Sequence, residues 1–79
     1  MQTRKEARMQ SNINQLQIAL DNGWVKYDRL DTNIIQFRMK GKPRIDFMLL
    51  ENRFTNIDTK QVRKSNMKQF LKWYRRRSI

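Results

Sequence analysis

The stretch NIIQFRMKGKPRIDFMLL, residues 33–50, decides the fold. Before Gly41 the residues alternate: Ile35, Phe37 and Met39 share one side, while Ile34, Gln36, Arg38 and Lys40 share the other. After it, Ile45, Phe47 and Leu49 fall on one side and Asp46, Met48 and Leu50 on the other. A period of two is the signature of a β-strand. Gly41-Lys42 between the runs reads as a two-residue hairpin loop, with Gly41 supplying the positive φ that a II′ turn needs at its first central position. Pro43 stands where a strand begins, the place at which a missing N–H does least harm. An antiparallel hairpin is therefore expected here.

Working outward, WVKYDRL (24–30) reads as a preceding strand. Glu51-Asn52 reads as a second tight turn, leading into a short strand RFTNI (53–57). At the front, the spacing predicts a helix from Thr3 to Leu20. Thr3 and Glu6 stand at capping-box distance, Met9, Ile13, Leu16 and Leu20 form a narrow apolar stripe, and Asn22-Gly23 offers a left-handed stop. Arg4, Lys5 and Arg8 oppose the positive end of that helix's dipole, so its first turn is expected to fray. At the back, Asp58 or Thr59 is expected to cap a second helix running to about Arg76, with Gln61 at capping-box distance from Asp58. Met67, Phe70, Leu71 and Tyr74 cluster on one side of its wheel, and Trp73 lies off that cluster. The expectation is one α+β domain over residues 1–79: an N-terminal helix, a three- or four-stranded antiparallel sheet and a basic C-terminal helix.

Charge dominates the composition. Eighteen Lys and Arg oppose seven Asp and Glu across 79 residues, a net charge of +11. Such an excess repels itself in a compact state and is a footprint of proteins that hold anionic partners, nucleic acid foremost. Cysteine and histidine are both absent, which removes disulfides, thiolate chemistry, the commonest metal ligand and the usual general base. The composition points to a non-enzymatic protein with no cofactor or metal, acting in the cytoplasm (the host cytoplasm if phage-encoded). No apolar run approaches the roughly 18 residues of a membrane span, and MQTRKEARMQ has no secretory core segment. No membrane partner is expected. Asp28, Asp31, Asp46 and Glu51 are the candidate acids for metal-dependent nuclease chemistry. They lack a Glu-x-Lys continuation, reading ENR instead, and Asp46 is expected to pair with Arg38 or Arg44 across the hairpin.

The cations gather in two places. Residues 60–77 carry Lys60, Arg63, Lys64, Lys68, Lys72, Arg75, Arg76 and Arg77 with no acid among them. A merely solvated helix would mix signs to gain Glu–Lys pairs. The hairpin tip adds Arg38, Lys40, Lys42 and Arg44. Together these are the expected phosphate contacts, with DNA and RNA both open and Trp73 either stacking on a base or packing on the rim of the core. An acidic host protein surface is the alternative partner. Ile34, Met48 and Leu50 form a candidate protein interface, because a solvated antiparallel face is polar throughout. If both helices cover the opposite face, a homodimer or a host-protein contact is expected to cover this one. The role would then be that of a phage-type inhibitor or adaptor.

The order helix, strands, helix is similar in arrangement to the double-stranded-RNA-binding fold and to the HicA-type toxins built on it. RNA-binding members carry a lysine-rich start to the last helix, a feature the resemblance would assign to Lys60, Arg63, Lys64 and Lys68. The toxins depend on a catalytic histidine that this chain lacks, so the resemblance implies no such activity. RIDFMLLENRF (44–54) also resembles a strand–turn–strand of short phage proteins, a likeness that implies no function.

Overall fold

The computed structural model describes residues 3–78. Helix α1 spans Arg4–Asp21, strands β1 to β5 span Asp28–Arg29, Ile34–Phe37, Ile45–Met48, Arg53–Asn56 and Gln61–Lys64, and helix α2 spans Met67–Arg76. The five strands form one antiparallel sheet in the order β1-β2-β3-β4-β5, each paired with its neighbour in the chain. The fold is α+β, as expected, with more strands than the three or four read from the sequence.

The hairpin register sets the core. Ile35 faces Phe47, Phe37 faces Ile45, and Phe47 faces Phe54. Residues opposed across an antiparallel ladder share a face, so these five project together, and all are buried. Leu16 and Ala19 of α1 and Met67, Phe70, Leu71 and Tyr74 of α2 join them in the same cluster. Both helices therefore cover one face of the sheet and leave the other open. Phe70 is the centre of the packing, with ring centroids 5.0, 5.2 and 4.8 Å from those of Phe37, Phe47 and Phe54.

Thr3 caps α1, its Oγ1 accepting from the Glu6 N–H at 3.1 Å. Asn12 is the feature of α1 that the apolar stripe leaves out. It is 2% exposed and knits three segments together. Its Nδ2 donates to the Leu49 carbonyl (2.9 Å) and to Asn52 Oδ1 (2.7 Å), while its Oδ1 accepts from the Met67 N–H (3.0 Å). That last bond satisfies one of the orphan donors at the start of α2.

Three expectations are corrected. The second helix begins at Met67, not near Asp58, and Lys60, Arg63 and Lys64 precede it. Asn56 Oδ1 accepts from the Asp58 and Thr59 N–H groups, and Lys60 adopts φ +61°, which reverses the chain into β5. The cap of α2 is Asn66, whose Oδ1 accepts from the Gln69 N–H at 2.9 Å. A turn and a helix start use the same short polar side chains to satisfy the same kind of donor, so the two signals look alike. Second, the segment 24–30 supplies only Asp28–Arg29 to the sheet. Val25 is buried in the core, and the Lys26 N–H donates to Met39 Sδ at 3.4 Å in place of a ladder partner. Third, Gly41 (φ +80°) occupies the second central position of a turn closed by Lys42 N–H to the Met39 carbonyl at 3.2 Å. Positive φ there belongs to a type II arrangement rather than II′, and the loop between β2 and β3 is correspondingly longer.

Candidate nucleic-acid interface

In an antiparallel meander, alternate connections lie at the same end of the sheet. The β2–β3 loop (38–44) and the β4–β5 turn (57–60) therefore share an end. They are tied there by the Ile57 N–H donating to the Arg44 carbonyl at 2.8 Å. The C-terminus of α2 arrives at the same place. Lys42 Nζ donates to the carbonyls of Tyr74 (3.0 Å) and Arg75 (2.7 Å) and stands 5.5 Å from the Tyr74 ring centroid. A lysine from a hairpin 32 residues away in sequence thus joins the Arg77 N–H, which also donates to the Tyr74 carbonyl at 3.1 Å, in capping the helix and meets the negative end of its dipole.

Three of the four hairpin cations are consumed within the fold. Arg38 donates to the Phe37 and Ile45 carbonyls and pairs with Asp46 at 2.7 Å, which resolves the choice left open for Asp46. Arg44 pairs with Asp58 at 2.6 Å through Nη2, and its Nε donates to the same oxygen at 2.9 Å. The hydrogen bonds from Arg44 hold the Asp58 carboxyl below the usual carboxylate range, and Asp58 in turn raises the Arg44 pKa. Lys42 is the helix cap. Lys40 is exposed and makes no ion pair among the described residues.

Around this neutralised framework stand cations with no ion-pair partner among the described residues: Lys26, Lys40, Lys60, Arg75, Arg76 and Arg77, all exposed. Arg75 lies over the Trp24 ring at 5.4 Å and Arg77 over the Trp73 ring at 5.1 Å. Trp73 is half-buried and packs on Phe54 with centroids 5.2 Å apart. The rim-packing alternative describes its position, and its Nε1 is buried without a hydrogen-bond partner. Lys26 was missed in the sequence because its segment was read as a strand interior. Its place beside Met39 depends on a contact across 13 residues.

The remaining predicted contacts lie elsewhere. Lys64 and Lys68 flank the start of α2, at the opposite end from the hairpin. Lys64 lines a polar recess there with Arg8, Glu51 and Gln69. Arg63 faces Phe54 across the ladder, so it stands on the helix side of β5 yet is exposed. Lys72 is on the exposed flank of α2 that looks toward α1. Only Lys68 of the four lysine-rich positions taken from the RNA-binding resemblance is on the last helix.

On the open face, one register row runs Ile34, Met48, Arg53, Lys64. Ile34, Met48 and Leu50 are half-buried, and Leu30 and Val62 are 59% and 57% exposed. Among the described residues no helix covers this face. Leu50 is in the β3–β4 turn, its N–H donating to Asn33 Oδ1 and its carbonyl accepting from Arg8.

Among the described residues no three acidic side chains converge as a metal cluster would require, and no helix is long and apolar enough to cross a membrane. Comparison with protein-family models, with curated proteins and with solved structures returns no match.

Proposed function

We propose that this protein binds nucleic acid without catalysis, gripping phosphates at the end where the β2–β3 loop, the β4–β5 turn and the last turn of α2 meet. The observation that carries the reading is the division of labour among the cations. The Asp46 and Asp58 carboxylates are occupied by Arg38 and Arg44, while Lys26, Lys40, Lys60 and Arg75–Arg77 make no ion pair among the described residues and present an excess of positive charge over the single nearby carboxylate of Asp28. Arg63, Lys64, Lys68 and Lys72 extend the field along β5 and α2. Clustered cations attract a phosphate backbone and release its condensed counterions.

Six phosphate contacts correspond to a log–log salt slope of about −5 on duplex DNA and about −4 on single strands. The test is fluorescence anisotropy of labelled DNA and RNA against salt concentration, with wild type and an Arg75, Arg76 and Arg77→Gln variant. The slope is expected to shallow by about 2 to 3. Binding with an unchanged slope would remove the arginines from the interface, and no binding to any nucleic acid would overturn the reading.

The open sheet face favours a second reading. Leu30, Ile34, Met48 and Val62 lie beside Arg53 and Lys64, which suits a protein surface with an apolar patch rimmed by carboxylates. An inhibitor or adaptor would use it so. Self-association through this face would bring like charges together. Capture of one stoichiometric acidic protein from nuclease-treated lysate, lost on Met48→Glu, together with no nucleic-acid binding, would put this reading first.

A further inference from the structure

A groove lies between the two helices. Ile18 and Ala19 of α1, Trp24 just beyond it and Leu71 of α2 give it an apolar lining, and its volume is about 230 Å³. That is below the range of about 300–1,000 Å³ that encloses small molecules, and it suits an anchoring side chain of a larger partner. Ile18 is 55% exposed and Trp24 half-buried, so part of this apolar surface is bare.

The charge of the groove is one-sided. Lys68, Lys72 and Arg75 form a ridge at i, i+4 and i+7 along α2, all exposed and without an ion pair among the described residues. Like charges four apart destabilise a helix, and Lys68, in the first turn, also opposes the dipole. The facing wall offers them nothing in return. It presents the neutral Gln15 and Asn22, while Asp21, next in the chain to Asn22, accepts from Gln17 and stands outside the lining. A phosphate backbone would use the three cations and leave Ile18 and Trp24 bare. A second copy of this chain fits no better, because α1 carries only Glu6 and Asp21, at opposite ends, and α2 carries no acid.

We infer that this groove docks an acidic amphipathic helix of a partner protein. Carboxylates at i, i+4 and i+7 of that helix meet Lys68, Lys72 and Arg75, and an apolar side chain beside them seats against Ile18 and Trp24. A helix laid along α2 matches the ridge because both climb by the same rise per residue. Complementary charge then fixes the partner's register, and the apolar anchor excludes water. This surface is distinct from the open sheet face, and it shares only Arg75 with the phosphate-gripping end.

The probe is a fluorescent synthetic helix of about 15 residues, the length at which an isolated helix becomes viable. It carries glutamates at i, i+4 and i+7 and leucines on the adjoining face. Anisotropy is read at physiological salt, where weak surface attraction is screened. Binding is expected, with NMR shifts centred on the Ile18 and Leu71 methyls and the Trp24 indole. Peptides with every glutamate changed to glutamine, or every leucine to alanine, should both bind more weakly. Lys68→Gln with Lys72→Gln weakens the parent peptide about two- to thirtyfold, the worth of two exposed ion pairs. Ile18→Gln, an exposed change that keeps the net charge, weakens it about five- to thirtyfold through lost apolar burial. Thermal melting confirms that each variant is folded. The same Ile18→Gln protein should bind DNA and RNA as wild type does. No binding of the peptide, binding indifferent to Ile18→Gln or to loss of the leucines, or shifts centred on Ile34 and Met48 would each overturn the inference. So would nucleic-acid binding that falls with Ile18→Gln, because the groove would then hold a strand. The phosphate-gripping reading is judged separately, by the salt slope of the Arg75–Arg77 variant.

Discussion

Replacing Asn12 by leucine tests whether one buried amide holds the two ends of the chain together. The side chain is 2% exposed and makes three hydrogen bonds, to Leu49, Asn52 and Met67. Each is worth about 0.5–1.5 kcal/mol net, and a buried donor or acceptor left unmatched costs about 1–3 kcal/mol. The leucine strands the Met67 N–H, itself on a fully buried residue, and removes a donor from the Leu49 carbonyl. Added apolar burial returns about 1–2 kcal/mol. The net expectation is a loss of about 2–4 kcal/mol, from a total of about 4–12 kcal/mol for a domain of this length. With a urea m-value near about 1 kcal/mol/M for so small a chain, the unfolding midpoint should fall by about 2–4 M. Asn52→Gly is the control. It deletes one of the three bonds while accommodating φ +50° at that position, and should cost less than about 1 kcal/mol. If Asn12→Leu lowers the midpoint no more than this control, the three-way junction does not hold the fold as argued.

Phe70→Ala should cost about 3–5 kcal/mol and leave little cooperative thermal unfolding at 37 °C, because Phe70 packs on four other buried aromatics, Phe37, Phe47, Phe54 and Tyr74. Tyr74 is fully buried and its hydroxyl has no hydrogen-bond partner of good geometry, although the Met39 backbone is close enough to hold its pKa down a little. Burial outweighs that and raises the pKa. The fold thus favours the neutral phenol. Its contribution is intact below about pH 10, the unfolded value, and lost as pH rises through the raised folded value. Tyr74→Phe should match or slightly exceed wild type at neutral pH and gain an increasing advantage in Tm above pH 10; a constant gap would refute this. For Asp58 the sign is opposite. Its lowered pKa contributes stability that is present above the ordinary carboxylate range and lost as pH falls through the folded value. Asp58→Asn should therefore be less stable than wild type at pH 7 and indistinguishable from it near pH 2, as read by urea midpoints.

The hairpin, the first helix and the buried face of the last helix were legible because each repeats its pattern within a few residues. Ile35, Phe37, Ile45 and Phe47 alternate, and Met67, Phe70, Leu71 and Tyr74 recur at helical spacing; all eight are buried. Strand β5 was not legible. Asn56, Asp58 and Thr59 gave helix-start chemistry to a turn, while the true cap, Asn66 with Gln69 three residues on, sat inside the supposed helix. The site was half legible. Hairpin and last helix do meet, but which cations remain unpaired there depends on approaches such as Lys42 to Tyr74 and Arg44 to Asp58, which no local pattern encodes. Asn12 was invisible for the same reason, as a polar residue whose partners lie about 40 positions away in the chain.

Strand β5 has a further consequence for any preparation of the protein. All four of its residues are exposed and, among the described residues, only β4 pairs with it, so its outer rim carries backbone groups ready to recruit another strand. Arg63 and Lys64, with Lys60 at the entry, are the kind of charged side chains that keep such a rim from stacking against its own copies. Stripping those charges to probe ligand binding would also lift the barrier to self-assembly. Variants neutral at 60, 63 and 64 should show light scattering that grows with concentration, and a loss of binding in them is interpretable only in the dilute, monomeric range.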